Sequence, residues 1–178
     1  HGMLALTLAL LAACSPSPHQ AAPEVAIVHD APAGAYRLDP SHADLSFRVN
    51  HIGMSMYTAR FTAFSTELQF DPAQPEAMRV SATIEVRSLP LPAPPPGFTE
   101  EMLGPKWFDA GQYPRIDFQS TGVERTGAKT ARVTGDLTLH GATRPVTLEA
   151  SFNGGYSGHP LDPNARIGFS ARGVFKRS

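Results

Sequence analysis

Residues 136–148 constrain the fold most strongly, because apolar and polar residues alternate on both sides of a short reversal marked by glycine and proline. A period of two on either side of a turn is typical of an antiparallel hairpin with one apolar face. The residues predicted to share the apolar face are Leu137, Leu139, Val146 and Leu148, and those on the opposite face are Thr138 and Thr147. The fold must therefore bury one face of this hairpin.

Similar alternation recurs along the chain, in segments bounded by Gly, Pro, Asp or Asn. The further predicted strands are residues 44–50, 60–70, 79–87, 115–121, 130–139, 145–153 and 165–175. One region breaks the pattern: Thr99 is a helix-capping residue, and Glu100 and Glu101 follow it where a first turn favours acids. We expect one short helix over residues 99–103.

The fold class predicted from these segments is all-β, with about eight antiparallel strands and one short helix. Either a sandwich or a closed up-and-down barrel satisfies the pattern, and closure removes exposed sheet edges. A barrel of about eight strands leaves an interior that side chains fill or that one apolar ligand occupies. Composition alone does not decide between these two interiors.

The net charge of −1 and the sequence pI near 6.7 give no general attraction to nucleic acid, so no nucleic-acid partner is expected. A single cysteine, Cys14, excludes an internal disulfide and leaves stability to a buried core. Residues 4–13 are apolar apart from Thr7, too few to span a bilayer but suitable for an export signal. The segment ending at Cys14 resembles a bacterial lipobox; an ordinary signal peptide or a buried helix is the alternative.

Three segments follow from this pattern. We expect a lipoprotein signal peptide over residues 1–14, truncated at its start because no Lys or Arg precedes Arg37. Cys14 is the expected lipidation site. Residues 15–35, rich in Pro, Ala and Ser, predict a disordered tether. The folded domain is expected over residues 36–178.

Several blocks in order resemble the YceI-like family of bacterial periplasmic, polyisoprenoid-binding proteins. They are residues 36–42, 47–51, 59–61, 70–72, 107–110, 113–114 and 135–146. The resemblance implies a lipocalin-like eight-stranded antiparallel barrel that binds an isoprenoid lipid, such as a quinone or a polyprenyl chain, without catalysis and without another cofactor. It also implies a periplasmic location. The lipid anchor predicted at Cys14 would lie in a membrane, and we expect this to be the outer membrane.

Two departures from the family pattern concern the predicted cavity mouth and the chain end. Ala59 stands where the family has Gly, and the proline-rich residues 89–97 replace a more polar segment. Ligand identity is the property that these changes put in question. The chain stops at Ser178, within a motif that the family continues, so we expect the final strand to be truncated.

Side chains on clean alternating faces are the candidates for an apolar cavity. The predicted cavity wall is Phe47, Val49, Phe61, Ile84, Val86, Phe118, Leu137 and Phe169, with Met102, Leu103 and Trp107 as a lid. His51 follows an apolar strand and is the candidate contact for a polar head group.

Two other functions stay open at this point. A metal-dependent envelope hydrolase would use His42, His51 or His140, although none has a partner at metal-ligand spacing. No metal site and no hydrolase signature are predicted. A stress-response interaction module with a filled core is the other alternative. The sequence is silent on oligomeric state, so a homodimer stays open.

Overall fold

The structure, a computed structural model, describes residues 30–176. Within them the chain forms nine strands, one α-helix and three short 3-10 turns. The strands are β1 Gly34–Arg37, β2 Leu45–His51, β3 Ser55–Phe61, β4 Phe64–Phe70, β5 Arg79–Glu85, β6 Arg115–Arg125, β7 Thr130–Leu139, β8 Ala142–Tyr156 and β9 Arg166–Arg172; the helix is α1 Phe98–Leu103. The predicted leader, lipidation site and most of the tether lie outside the described residues.

Seven strands form one antiparallel sheet in the order β1-β4-β5-β6-β7-β8-β9, and β2 and β3 form a separate hairpin. Apart from β1, which pairs with β4, each strand of the large sheet pairs with its neighbour in the chain. Turns or loops join the consecutive strands of this meander, except that the longer connection between β5 and β6 contains helix α1.

The hairpin predicted over residues 136–148 is confirmed, and the strand pairing places Leu137, Leu139, Val146 and Leu148 on one face as predicted. In β7 and β8, Thr138 lies opposite Thr143, and their hydroxyls are 2.8 Å apart. The turn residues His140 and Gly141 have φ angles of 51° and 74°. A two-residue type I′ turn requires positive φ at both positions. His140 is therefore a turn residue that accepts a backbone conformation more usual for Asn or Gly.

Helix α1 confirms the single predicted helix. It begins one residue before the predicted start, and Gly97, at φ 77°, takes the capping position that the sequence had assigned to Thr99. Glu100 and Glu101 lie in its first turn. It ends before Gly104, whose N–H donates to the carbonyl of Glu101.

Strand boundaries differ from the sequence prediction in two places. Residues 60–70, predicted as one strand, are the end of β3 and the whole of β4. The chain bends between them because the N–H and hydroxyl of Thr62 both donate to the carbonyl of Ser88, each at 2.9 Å. Strand β6 runs on to Arg125 because a bulge between Ser120 and Gly122 restores its pairing with β7.

The large sheet curls until the segments around β1 and β9 meet along a side-chain seam. Ser157 donates its N–H and hydroxyl to the carboxylate of Asp30, at 3.0 and 2.7 Å. The guanidinium of Arg166 binds Asp39 at 2.7 Å and Asp162 at 2.6 Å. Side chains, rather than a further hydrogen-bonded ladder, hold these edges together.

Residues 30–35 differ from their predicted place in the tether. Ala31 is only 8% exposed, and an added Cβ at Gly155 would lie 3.0 Å from its side chain. Gly34 and Ala35 pair with Phe70 and Gln69 as part of β1. The packing across the seam therefore orders the chain from at least Asp30 onward.

The predicted fold class is confirmed: the protein is all-β, with a curled, barrel-like antiparallel sheet and one short helix. The strand count exceeds the predicted eight because β1 and the division between β3 and β4 lack clear sequence signals.

Candidate ligand-binding face

The inward side of the curled sheet, here called the concave face, is set by the strand registers. Residues directly opposite each other in an antiparallel pair point to the same side. Leu137 therefore shares the concave face with Phe118 on β6 and with Arg144 on β8. The same registers add Thr66, Leu68, Val80, Ala82, Ile84, Ile116, Ser120, Val133, Gly135, Val146 and Leu148.

One end of the concave face is packed by what we call the hairpin-end cluster. Its buried members are Ala59, Phe61, Val86, Leu89, Ala110 and Ile116, and its half-buried members are Leu45, Phe47, Tyr57, Ile84, Leu91, Met102, Leu103, Phe108, Leu137 and Leu139. The ring of Phe61 lies 5.6 Å from that of Phe47 and 6.2 Å from that of Phe108. Hairpin β2–β3 and helix α1 are thereby fixed onto the sheet.

An aromatic cluster fills the other end of the face. Phe70 on β4 lies 5.9 Å from Phe152 on β8, 6.2 Å from Phe169 on β9 and 5.7 Å from Tyr36 on β1, measured between ring centroids. Burial raises the pKa of the Tyr36 phenol. The contacts join strands from opposite sides of the sheet, so they cross the interior and maintain its curl.

Between the clusters the concave face carries small or half-buried residues. Gly135 presents no side chain, and the ring of Phe118 lies against it. The buried hydroxyl of Ser120 accepts a hydrogen bond from the N–H of Val80 at 2.9 Å, so it leaves no unsatisfied group. Val80, Val146 and Leu148 are only half-buried. This stretch is an apolar surface with partial solvent access.

Besides Arg125, at the last position of β6, these registers place one charged residue on the concave face: Arg144, directly opposite Leu137. It is exposed and forms no ion pair with any described residue. The sequence analysis missed Arg144, although Arg144, Val146 and Leu148 are alternate residues of β8 and therefore point to the same face. A guanidinium beside an apolar surface suits a ligand with an apolar body and a polar or anionic end.

The predicted cavity residues fall in several places rather than around one space. Seven lie in the hairpin-end cluster: Phe47, Phe61, Ile84, Val86, Met102, Leu103 and Leu137. Phe118 is buried against Gly135, and Phe169 belongs to the aromatic cluster. The remaining three, Val49, His51 and Trp107, are exposed.

A cleft of about 550 Å³ lies at the base of the β2–β3 hairpin, outside the concave face. It is lined by Pro40, Ala43, Asp44, Arg60, Phe61, Thr62, Ala63, Phe64, Ser65, Thr83 and Glu85. This lining mixes both signs of charge with hydroxyl groups, so it differs in chemistry from the apolar face.

The three histidines considered as metal ligands are far from forming one site. His42 lies 2.9 Å from the carboxylate of Asp39, His51 is exposed at the end of β2, and His140 packs on Tyr113 with ring centroids 4.9 Å apart. Within residues 30–176 no three His, Cys, Asp or Glu side chains are grouped as metal ligands would be.

Asp39, Ser41 and His42 have the residue types of a hydrolytic triad but not its arrangement. The Ser41 hydroxyl donates at 2.5 Å to the Asp39 carboxylate, which His42 also binds, and it lies at the longer distance of 3.3 Å from Nδ1 of the His42 imidazole. The hydroxyl proton is thus directed to the acid rather than to the imidazole, opposite to what nucleophile activation requires. Ser41 and, after it, His42 hold the pKa of Asp39 well below its ordinary value.

The seam carboxylates are similarly stabilised in their charged form. The Arg166 guanidinium lowers the pKa of Asp162, and the Ser157 hydroxyl lowers that of Asp30.

Among residues 30–176, no helix has the length and apolar character needed to cross a bilayer.

Comparison with known proteins identifies the family. The sequence profile of the YceI-like domain matches residues 36–178. The chain belongs to the YceI-like family. A UPF0312 protein of Pseudomonas putida (strain W619) is 36% identical over 143 residues, which cover 78% of this chain and 71% of that protein. A UPF0312 protein of Pseudomonas syringae pv. syringae (strain B728a) is 38% identical over 119 residues, covering 64% and 58%.

Solved structures of similar fold agree with this assignment. Burkholderia cenocepacia BcnA has a TM-score of 0.59 and 29% identity, over 64% of this chain and 70% of that one. The Campylobacter jejuni YCEI protein has a TM-score of 0.58 and 26% identity, over 76% and 77%. The family predicted from the sequence blocks is confirmed, and with it the barrel-like β architecture.

Proposed function

We propose that this YceI-like protein binds an isoprenoid lipid, a quinone or a polyprenyl chain, on its concave face in the cell envelope, without covalent chemistry. The observation that carries the proposal is the half-buried apolar stretch around Val80, Val146 and Leu148, bounded by packed clusters at both ends. Apolar walls with a few placed polar groups are typical of sites for small ligands.

Selectivity for such a lipid has to come from shape and polar contacts. Burial of each CH₂ group stabilises a lipid by about 0.8 kcal/mol relative to water. A bilayer offers the same apolar surroundings, so this gain cancels when the lipid leaves a membrane. Arg144, at the apolar face, supplies a polar contact that a bilayer interior lacks.

The cellular setting is part of the proposal. The apolar residues 4–13 followed by Cys14 support export and attachment of a lipid anchor, with the protein held at the periplasmic side of a membrane. A tethered protein that carries a lipid would store the lipid or pass it between partners within reach of its anchor.

The test is the lipid content of protein produced with its export route in a quinone-making host. Native mass spectrometry is expected to detect a bound isoprenoid on the wild type and to find it absent from the Val146→Asp variant, because a carboxylate on the concave face opposes an apolar ligand. Thr147→Asp is the matched control, since Thr147 is the next residue and points to the opposite face.

Two results contradict the proposal: wild-type protein that carries no lipid, or equal lipid loss in the Val146→Asp and Thr147→Asp variants. A lipid-free protein would instead favour an interaction module with a filled core. The Arg144→Gln variant separates lipid classes. If the bound lipid bears phosphate, its share falls in this variant, whereas a neutral quinone is retained.

A further inference from the structure

The tip of the β2–β3 hairpin exposes large apolar side chains. Ile52 is 76% exposed and Met54 is 83% exposed. Met56, at the start of β3, is 51% exposed. Contiguous exposed apolar residues on a folded protein often mark a surface that meets another molecule or a membrane.

Backbone contacts hold this tip in a defined shape. The N–H of Gly53 donates to the side-chain oxygen of Asn50 at 2.6 Å, and the N–H of Met54 donates to the carbonyl of His51 at 3.0 Å. Ile52 has a φ of 49°, in the left-handed region that is unfavourable for a β-branched residue. The loop therefore keeps a strained apolar residue facing outward.

The hairpin also carries only positive formal charge. No carboxylate lies between Asp44 and Glu67, whereas Arg48 and Arg60 both fall in this interval of a chain whose net charge is −1. Register places both arginines on the same hairpin face as Met56. Neither arginine is in an ion pair with any residue between 30 and 176.

We propose that this tip docks onto the surface of an anionic phospholipid bilayer. Ile52 and Met54 enter the interfacial region and Arg48 binds lipid phosphate, while Arg60, opposite Ser46 near the base of the hairpin, adds to the positive charge of the hairpin. Interfacial segments combine these two features, apolar side chains for insertion and basic ones for attraction to anionic lipid. The like charges oppose tip-to-tip pairing of two copies, which favours a membrane over a second chain.

This docking goes beyond the proposed function, because it does not require that the concave face hold a lipid. It is also separate from the anchor proposed at Cys14. The hairpin belongs to the folded domain, and its inward face, with Phe47 and Phe61, is packed in the hairpin-end cluster. Docking at the tip would thus fix the orientation of the concave face relative to the bilayer.

The test places an environment-sensitive fluorophore beside the tip. The full chain carries Cys14→Ser and Ser55→Cys, which leaves Ile52 and Met54 in place, and is labelled with a nitrobenzoxadiazole dye. Vesicles of phosphatidylcholine with phosphatidylglycerol are expected to shift its emission to the blue, and lipids with a spin label near the head group are expected to quench it. A label at Lys106→Cys, in the exposed loop after α1, is expected to remain unchanged.

Variants then separate the two parts of the proposal. Ile52→Asn is expected to weaken vesicle binding of the tip about tenfold or more, and it preserves the fold because Asn tolerates positive φ. Leu161→Asn removes another apolar residue, 91% exposed, and is expected to leave the signal intact. Arg48→Glu is expected to weaken binding at least fivefold at low salt, with Lys106→Glu as its charge control.

The outcomes are decisive in either direction. If the emission of the label at the tip does not change when vesicles are added, the proposal is wrong. The same holds if the protein binds vesicles through the apolar residues 4–13 while the emission of the tip label stays unchanged. Equal losses in the Ile52→Asn and Leu161→Asn variants contradict it too, and a concentration-dependent shift without vesicles assigns the tip to a second copy instead. Native mass spectrometry of the Ile52→Asn variant is expected to find the bound isoprenoid unchanged, so failure of lipid binding and failure of docking are distinguishable.

Discussion

Gly135 offers a quantitative test of the packing on the concave face. A Cβ added at this position would lie 2.5 Å from a ring carbon of Phe118 and 2.5 Å from the carbonyl oxygen of Gln119. Side chains do not approach this closely, so Gly135→Ala forces a change in β6 or β7. Either Phe118 leaves its site, where it is 8% exposed, or the two strands separate locally.

Both routes have a similar expected cost. Overpacking a core position costs about 1–3 kcal/mol, and exposing a buried phenylalanine costs about 1.5–3 kcal/mol. We therefore expect Gly135→Ala to lower the free energy of unfolding by about 2–3 kcal/mol. For a chain of this size, that corresponds to a fall in Tm of about 4–12 °C. Urea denaturation followed by circular dichroism, with a thermal scan, measures both quantities.

Gly122→Ala is the matched control in the same strand pair. An added Cβ there has no neighbour within 4 Å, so a change of less than about 1 kcal/mol is expected. The Phe118→Leu substitution tests the mechanism, because a smaller side chain relieves part of the crowding. The double variant with Gly135→Ala is expected to be more stable than the sum of the single effects by about 1 kcal/mol. If Gly135→Ala behaves like Gly122→Ala, or if the two effects simply add, the packing argument is wrong.

Two further predictions concern the seam and the β7–β8 turn. The folded-state pKa of Asp39 is lowered relative to that of the unfolded chain, so its stabilising contribution is complete above about pH 4 and is lost as the pH falls through the folded value. The stability difference between wild type and Asp39→Asn is therefore expected to be smaller at pH 3 than at pH 5 in urea titrations; an equal difference at the two pH values would refute this. Gly141→Ala is expected to cost about 1–3 kcal/mol, since φ is 74° and the added Cβ would lie 2.6 Å from the Tyr113 ring; His140→Asn at the same turn is expected to be tolerated, and equal stability of the two variants would argue against the turn assignment.

Local patterns in the sequence were sufficient for most strands and for their inward faces. The β7–β8 hairpin illustrates this, because its alternating side chains and its turn residues lie close together in the sequence, and Thr138 and Thr147 share the polar face as predicted. Helix α1 was predictable for the same reason, because Glu100 and Glu101 closely follow the proline-rich residues 89–97. The bend at Thr62 was not predictable, since it depends on a hydrogen bond to Ser88, a residue distant in sequence.

The candidate site was less predictable than the fold. Parity identifies which side chains point inward, but the curl of the sheet decides which of them touch. Phe70 meets Phe152 and Phe169 only because β4 faces β8 and β9 across the interior. Residues expected to surround one cavity, such as Phe47 and Phe169, consequently lie in different clusters. The place of Arg144 was not predictable from its residue type, because a charged residue of a half-buried strand is expected on the solvated face.

The seam around β1 and β9 affects how the barrel can vary in width. In a barrel closed by backbone hydrogen bonds, every strand pair must keep its register. The circumference can then change only in steps of whole residues. Here the closure depends on the side chains of Asp30, Asp39 and Arg166. A flexible side chain can keep its contact over a range of distances between the two edges. The circumference can therefore change by small amounts without loss of any backbone hydrogen bond between strands. Substitutions at a few seam positions can therefore alter the interior dimensions while the strands keep their pairing.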